Sequence, residues 1–508
     1  MPKGSSSDLD AIYQKVTLAV APLFALTVMM STIDRGNLSY ASISFIPALQ
    51  LTPTAYGAGS SLFFATYIIG LVPFGLLAPH IGARRLLAAL LVSWGVVATC
   101  MAAVKDAGGF FALRLLLGAC ESGSMPAMWS HLMIFFPKSR LPKPFAYLFV
   151  GTALAGVVGA PLATGLLALD GKGGLHGYQW LFILEGAPAV LLGAAVFFLL
   201  PDTPSEVKGL KASEVAALEA DLAAEARAQE ERLATPAKTL IWQVVRGKYF
   251  PLLAVTSFIA GIVSATYVYW TPLIIKGLIT NSALSSGAAA GGTARSSLAA
   301  VGLSTIPFAV GAAAVILAAA HAQRRQELFL HAAVPLAVSG VITTLFPLMA
   351  QASPILGFVS LIITLACALA ANPSVSSIIA LLHKGPHEVV ALPIFDGVMN
   401  LGAIVGSPLT GAIIQKTERG FFWVTVVMGL VICLSTCLLL VLGAWVAHGP
   451  LAERLFLKPR GAAGRAAAAA AAEAAEAAAA GGEEGARGAP GAGRIVIRVG
   501  DDAVGAKS

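Results

Sequence analysis

Long apolar runs separated by short polar turns set the pattern of this 508-residue chain. A bilayer core about 30 Å thick needs about 20 apolar residues per helix. Twelve windows meet that requirement, near 16–45, 57–79, 86–104, 109–135, 143–168, 178–200, 249–275, 297–320, 328–350, 354–382, 388–414 and 420–447. The only long charged stretch, Pro201 to Lys248, falls between the sixth and seventh. The pattern predicts an all-α polytopic membrane protein with twelve transmembrane helices in two six-helix bundles, 16–200 and 249–447. Residues 1–15 form a short N-terminus, and 201–248 a linker read as soluble helix with Ser213 as its N-cap. Thr280 to Ser297 reads as an irregular loop, and 448–508 as a low-complexity Ala/Gly tail.

Composition agrees. The chain is 57% hydrophobic and 12% charged, against about 25% charged in a soluble domain, and its mean hydropathy is +0.81. The net charge of +7 does not point to nucleic acid, because no basic patch is interleaved with aromatics. Turns after even-numbered helices carry Arg84, Arg85, Lys138, Arg140, Lys143, Arg324, Arg325 and Lys384. Turns after odd-numbered helices carry fewer: Lys105, Lys172, Lys276, Arg295, Lys416 and Arg419. The bias predicts that both termini and the linker are cytoplasmic. The N-terminus has neither a signal-peptide core nor a transit pattern, and the plasma membrane is the favoured location. Five cysteines lie in apolar segments without ligand spacing, so no disulfide, metal or cofactor is expected.

Against this background, charges inside the helices stand out. Asp34 and Arg35 interrupt the first apolar run, and Arg114 and Glu121 the fourth. Such a residue at mid-bilayer costs roughly 2.5–3.5 kcal/mol on insertion scales and faces a bundle interior or a wet cavity. Arg114 and Glu121 are two helical turns apart and share a face. One explanation covers all four: a polar cavity that holds an anion on Arg35 or Arg114 through paired hydrogen bonds, and a proton on Asp34 or Glu121. The competing reading is a static Arg114–Glu121 or Arg114–Asp34 bridge that locks helices. The second half offers neutral groups, Asn372, Ser374, Ser377, Asn400 and Thr410, and one ionisable one. That one, Asp396, is read either as a cavity proton site or as a solvated residue near the cytosolic end. Gly402 and Gly406 form a face for close helix packing. Glu185 is read as structural, and His131, His331 and His383 as interfacial.

Three stretches, Asp34-Arg-Gly-Asn37-Leu-Ser39, Arg114-Leu-Leu-Leu-Gly-Ala-Cys-Glu121-Ser-Gly and His176-Gly-Tyr-Gln-Trp180 through Glu185-Gly-Ala-Pro188, resemble the anion:cation symporter branch of the major facilitator superfamily. The likeness is to its tartrate and phthalate permeases, and it is clearest over residues 30–210. It implies proton coupling and anion binding at Asp34, Arg35, Arg114 and Glu121, with Tyr67 standing where the family has a cavity tyrosine. The turn after helix two departs from the family at Pro79 and His80, and the matching turn after helix eight has Gln323 where an acid is usual. Leu71 stands where tartrate-like members often have Glu, and Asp396 where Asn is usual. The resulting expectation is a monomeric, proton- or sodium-coupled symporter of a small organic anion, with inorganic phosphate or a neutral ureide or vitamin as alternative cargo. Arg35, Arg114, Tyr67, Asn372 and Asn400 are the candidate substrate ligands, and Asp34, Glu121 and Asp396 the candidate proton sites. No hydrolase or metalloprotease motif is present, so no enzyme is expected.

Overall fold

Polar side chains and prolines mark where the helices begin. Thr52, Asp106 and Ser353 accept backbone N–H groups of Ala55, Gly109 and Ile355, and Pro53 and Pro354 open their helices at the position where no N–H is required. Gly82, at φ 88°, makes the basic turn after the second helix in a conformation that a side chain would resist.

The computed structural model describes residues 6–137, 140, 142–230, 237–280, 294–325, 327–383, 388–417 and 419–447. Among them are fifteen α-helices and no strand. The first half holds α1 (Ser6–Ala48), α2 (Pro53–Ile81), α3 (Ala83–Cys100), α4 (Ala107–Glu121), α5 (Ser124–Phe135), α6 (Pro142–Leu167) and α7 (Gly177–Leu199). The linker supplies α8 (Ala212–Glu230) and α9 (Ala237–Val245). The second half holds α10 (Phe250–Ile279), α11 (Ala294–Arg325), α12 (Phe329–Ala352), α13 (Pro354–Leu382), α14 (Glu388–Lys416) and α15 (Phe421–Ala447).

Among the described residues, eleven helices are long and apolar enough to cross a membrane. The predicted helix at 109–135 is instead divided into α4 and α5 at Ser122-Gly123. Pro126 has no N–H to give the Ser122 carbonyl, and its ring crowds that group. The N-terminal boundary also moves, because α1 is already helical from Ser6. Ser213 lies inside the first turn of α8 rather than capping it, and the Glu214 carboxylate accepts the Lys211 N–H instead (2.8 Å). Residues 281–293, Lys138, Lys384 and the tail at 448–508 lie outside the described residues, as do the side chains of Pro79, Lys143 and Gln323.

Within the first half, α1 packs on α6 and α7, α2 on α4, and α3 on α7; within the second, α10 packs on α14, α12 on α13 and α15, and α11 on α13. The sets meet mainly where α2 packs on α14, α6 on α11, and α1 on α10. Large apolar side chains such as Ile69, Leu191, Phe198 and Ile355 point outward, as a lipid-facing surface requires. Helix α8 is tied to the first half by Lys15–Glu214 (2.8 Å) and by the Tyr13 hydroxyl donating to Asp221 (2.6 Å), while Arg84 pairs with Asp202 (2.7 Å).

At the ends away from α8, the two sets close on each other. The Tyr56 hydroxyl donates to the Tyr269 carbonyl (3.0 Å) and Ser61 Oγ to the Ala403 carbonyl (3.3 Å), while within the second set Trp270 Nε1 donates to Ser407 Oγ (3.0 Å). Gly57 and Gly411 make this α2–α14 contact possible: a Cβ would stand 2.4 Å from the Ser407 oxygen at the first and 2.2 Å from the Pro53 oxygen at the second. Gly402 and Gly406 set α14 against the backbone of α10 at Phe258 and Ile262, the close packing that their spacing predicts.

Candidate functional site

Between the two sets lies a cavity of about 310 Å³ walled by α1, α2, α6, α10, α11 and α14. Its lining is mainly apolar, with Thr32, Arg35, Ser39, Ser264, Tyr269 and Asn400 as polar groups. Tyr269, Ser39 and Ala403 lie toward its closed end. On the opposite side Asp396 is exposed one turn below Asn400, whose amide donates to the Asp396 carboxylate (3.3 Å) and backbone carbonyl (2.9 Å). Asp396 is also within electrostatic reach of Arg35. The cavity is therefore open toward the end that carries α8 and closed at the other. Of the two readings of Asp396, this placement fits a solvated residue at the mouth of the cavity.

Arg35 is the cation of this cavity. Its Nε and Nη2 both donate to Glu121 Oε2 at 2.7 Å, and its guanidinium lies 4.7 Å from the Tyr67 ring centroid and 5.2 Å from that of Phe63. Ser31 Oγ donates to the same Glu121 oxygen (3.2 Å). Glu121 is wholly buried, while the Arg35 side chain keeps 29% of its surface exposed. One ion pair thus spans α1 and α4, sealed on the acidic side and open on the basic side. A guanidinium so placed can exchange its carboxylate partner for an anion entering from the cavity.

Arg114 is placed differently. It is 1% exposed and does not line the cavity. Its Nε and Nη2 donate to the carbonyls of Gly59 (3.3 Å) and Ser60 (3.1 Å), and Nη2 also to the Tyr269 hydroxyl (3.3 Å). The reason is packing: Gly118 lets α4 approach the backbone of α2 at Phe63, so Arg114 is held against α2. It reaches the cavity only through Tyr269. Arg114 and Glu121 do share the buried face of α4, but among the described residues Arg114 forms an ion pair with neither Glu121 nor Asp34.

Asp34 is buried behind Arg35 and outside the lining. Asn372 is exposed on α13 and is not a lining residue; it lies two residues, hence about 200° around the helix, from the buried Ser374. Thr410 is fully buried and bonded to Thr266 (2.9 Å), and Ser377 bonds its own helix at Pro373 (2.8 Å), so both are packing groups. Two of the histidines expected at the interface, His131 and His383, are buried instead, while His331 stays part-buried in the first turn of α12. His131 is buried between Phe24 and Phe135 because the inner face of α5 carries it inward. His383 is buried with Nδ1 at the Ile379 carbonyl (2.9 Å), and His331 lies between His321 (2.7 Å) and Glu327 (2.8 Å). Sequence reasoning missed Tyr269, Ser39 and Ser264. The signal for Tyr269 was a second aromatic, Trp270, at its side.

A ring of apolar spans around a partly exposed guanidinium, in a cavity closed at one end, has the form of a membrane carrier. Residues 24–330 match the model of the Major Facilitator Superfamily. The chain is similar, at 28% identity over 82% of its length and 93% of the relative, to NicT, named as a metabolite transport protein, of Pseudomonas putida. A protein of Agrobacterium vitis named as a tartrate transporter is 30% identical over 81% of this chain and 90% of its own. Among solved structures, an inward-facing bacterial homologue of the human lysosomal transporter Spinster superposes with a TM-score of 0.64 at 14% identity, over 90% of this chain and 99% of that one. The chain belongs to the major facilitator superfamily and is a multi-pass membrane transporter, not an enzyme.

Proposed function

We propose that the protein is a proton-coupled symporter of a small organic anion, a carboxylate of the tartrate or phthalate kind, working by alternating access. The observation that carries this reading is the partly exposed Arg35 guanidinium, engaged by a fully buried Glu121 carboxylate. An incoming carboxylate must compete with Glu121 for the same two N–H donors. A proton on Glu121 removes the competitor, so proton and anion enter together and the loaded site returns to the charge of the empty one. The largely apolar wall of the cavity, with Tyr40, Phe64 and Phe308, favours an anion that carries a carbon skeleton, and Asn400 and Ser264 offer it neutral hydrogen bonds. The names of the Agrobacterium relatives support the same substrate class.

In this reading, residues 16–200 and 249–447 are two bundles that rock about the midplane, and the basic side bearing α8 is cytoplasmic. The structure then corresponds to an inward-open carrier. The test is uptake of a panel of labelled mono- and dicarboxylates and phosphate into proteoliposomes at two external pH values, with Arg35→Ala beside the wild type. Carboxylate uptake that rises on the acid side and is abolished by Arg35→Ala is expected. Uptake indifferent to the proton gradient would refute coupling, and phosphate as the sole cargo would refute the substrate class.

A further inference from the structure

A second polar cluster lies behind the cavity, where α1 meets α7. Glu185 of α7 is 6% exposed, and Asp34 and Asn37 of α1 are 7% and 1% exposed. Both Glu185 oxygens, both Asn37 amide atoms and Asp34 Oδ2 are buried without a hydrogen-bond partner. Glu185 nevertheless lies against Asn37 and within electrostatic range of Asp34, and none of the three lines the cavity.

The surrounding charges are unevenly shared. Glu121 is answered by Arg35, and Asp34 faces the Glu121 carboxylate as well as Arg114 and Arg35. Glu185 faces Asp34, Asn37 and the Tyr40 phenol, and no cation. Helix α3 brings only Trp94 near Asp34, and the described side chains of α6 bring no charge. An isolated carboxylate taken out of water is so unfavourable that such a group neutralises instead.

From this arrangement we propose that Asp34 and Glu185, bridged by Asn37, form a proton-binding carboxyl pair separated from the anion cavity by α1. The proposal deepens the coupling reading above, and rests on it only for what the proton does in the transport cycle. In the exchange step the Glu185 O–H bond breaks as an O–H bond forms at Asp34 Oδ2. One negative charge passes the other way, and the total is unchanged. The Asn37 amide suits both states, since its N–H donates to whichever carboxylate is charged and its Oδ1 accepts from the acid. Helix α1 then carries anion chemistry on one side, at Arg35, and proton chemistry on the other.

Infrared difference spectroscopy of the reconstituted full-length protein at two pH values reads the site without any substrate. A carbonyl band from a protonated carboxyl is expected in the wild type, lost in Glu185→Gln, shifted in Asn37→Ala and restored in Glu185→Asp. Identical bands in wild type and Glu185→Gln overturn the proposal, as does their replacement by a sodium-dependent signal. A second arm uses transport: in Glu185→Gln, proton-driven accumulation should fall to simple equilibration while substrate counterflow, which needs no net proton movement, persists. Full accumulation by Glu185→Gln overturns the proposal. Failure of the wild type to carry any of the acids would refute the transport reading alone, because the infrared arm stands without it.

Discussion

A methyl group at Gly411 should prise open the closed end of the carrier. Its Cβ would stand 2.2 Å from the Pro53 carbonyl oxygen, where an ordinary contact needs at least 3.4 Å, so α2 and α14 must part by about 1.2 Å (3.4 − 2.2). The obstacle is backbone and cannot rotate away. Overpacking of this kind costs about 1–3 kcal/mol. In alternating access it weighs only on the conformation in which these ends touch, so the balance should move toward the opposite conformation by roughly 5- to 150-fold. Ser61, buried at this seam and bonded to the Ala403 carbonyl, is a suitable reporter. Labelling of Ser61→Cys by an impermeant thiol reagent from the side away from α8 should accelerate in Gly411→Ala by a similar factor. Gly397→Ala, on the same helix but with nothing within 4 Å of its added Cβ, is the control and should leave the rate unchanged. If the folded Gly411→Ala protein labels no faster than the wild type, the seam is not what holds the cavity shut.

Arg35→Lys retains the charge but loses the planar fork and its stacking on Tyr67; initial uptake should drop on the order of tenfold, and a wild-type rate would show that charge alone suffices. Tyr56→Phe removes the hydroxyl that donates to the Tyr269 carbonyl, worth about 0.5–1.5 kcal/mol, so its effect in the Ser61→Cys labelling assay should resemble that of Gly411→Ala but be smaller. Glu214, in the linker, is held below its ordinary value of 4.5 by hydrogen bonds from the Lys15 ammonium and then the Lys211 backbone. Because the folded value is depressed, the tie of α8 to α1 is complete above the unfolded value and is lost as pH falls through the folded one. Hydrogen exchange in α8 should therefore accelerate in acid below the ordinary glutamate range, and Glu214→Gln should show that faster exchange already at neutral pH.

The number of spans was legible because lipid demands a long apolar run for each crossing, and the ion-bearing positions because a charge within such a run is conspicuous. What could not be read was partnership. Glu121 lies two turns from Arg114 and shares its face, yet its charge is matched by Arg35 from another helix, a consequence of how α1 and α4 pack. Arg114 was drawn away from the cavity by Gly118, whose missing side chain brings α4 onto the α2 backbone. Asn372 failed on helical phase, being set round the helix from the inward-facing Ser374. The interruption at Ser122-Gly123 was written in Gly123 and Pro126, but the apolar run around them masked it.

That interruption has a mechanical consequence. Were α4 and α5 a single rod from Ala107 to Phe135, the carboxylate at its middle could shift only if the whole of it moved as one body. The joint directly beside Glu121 divides that task. In the proposed exchange α4 would be free to tilt with the acid once its bond to Arg35 is given up, while α5 keeps Phe135 and His131 buried in the core. The proposed change of partner at one ion pair would then fall directly beside a break in the helix that carries it.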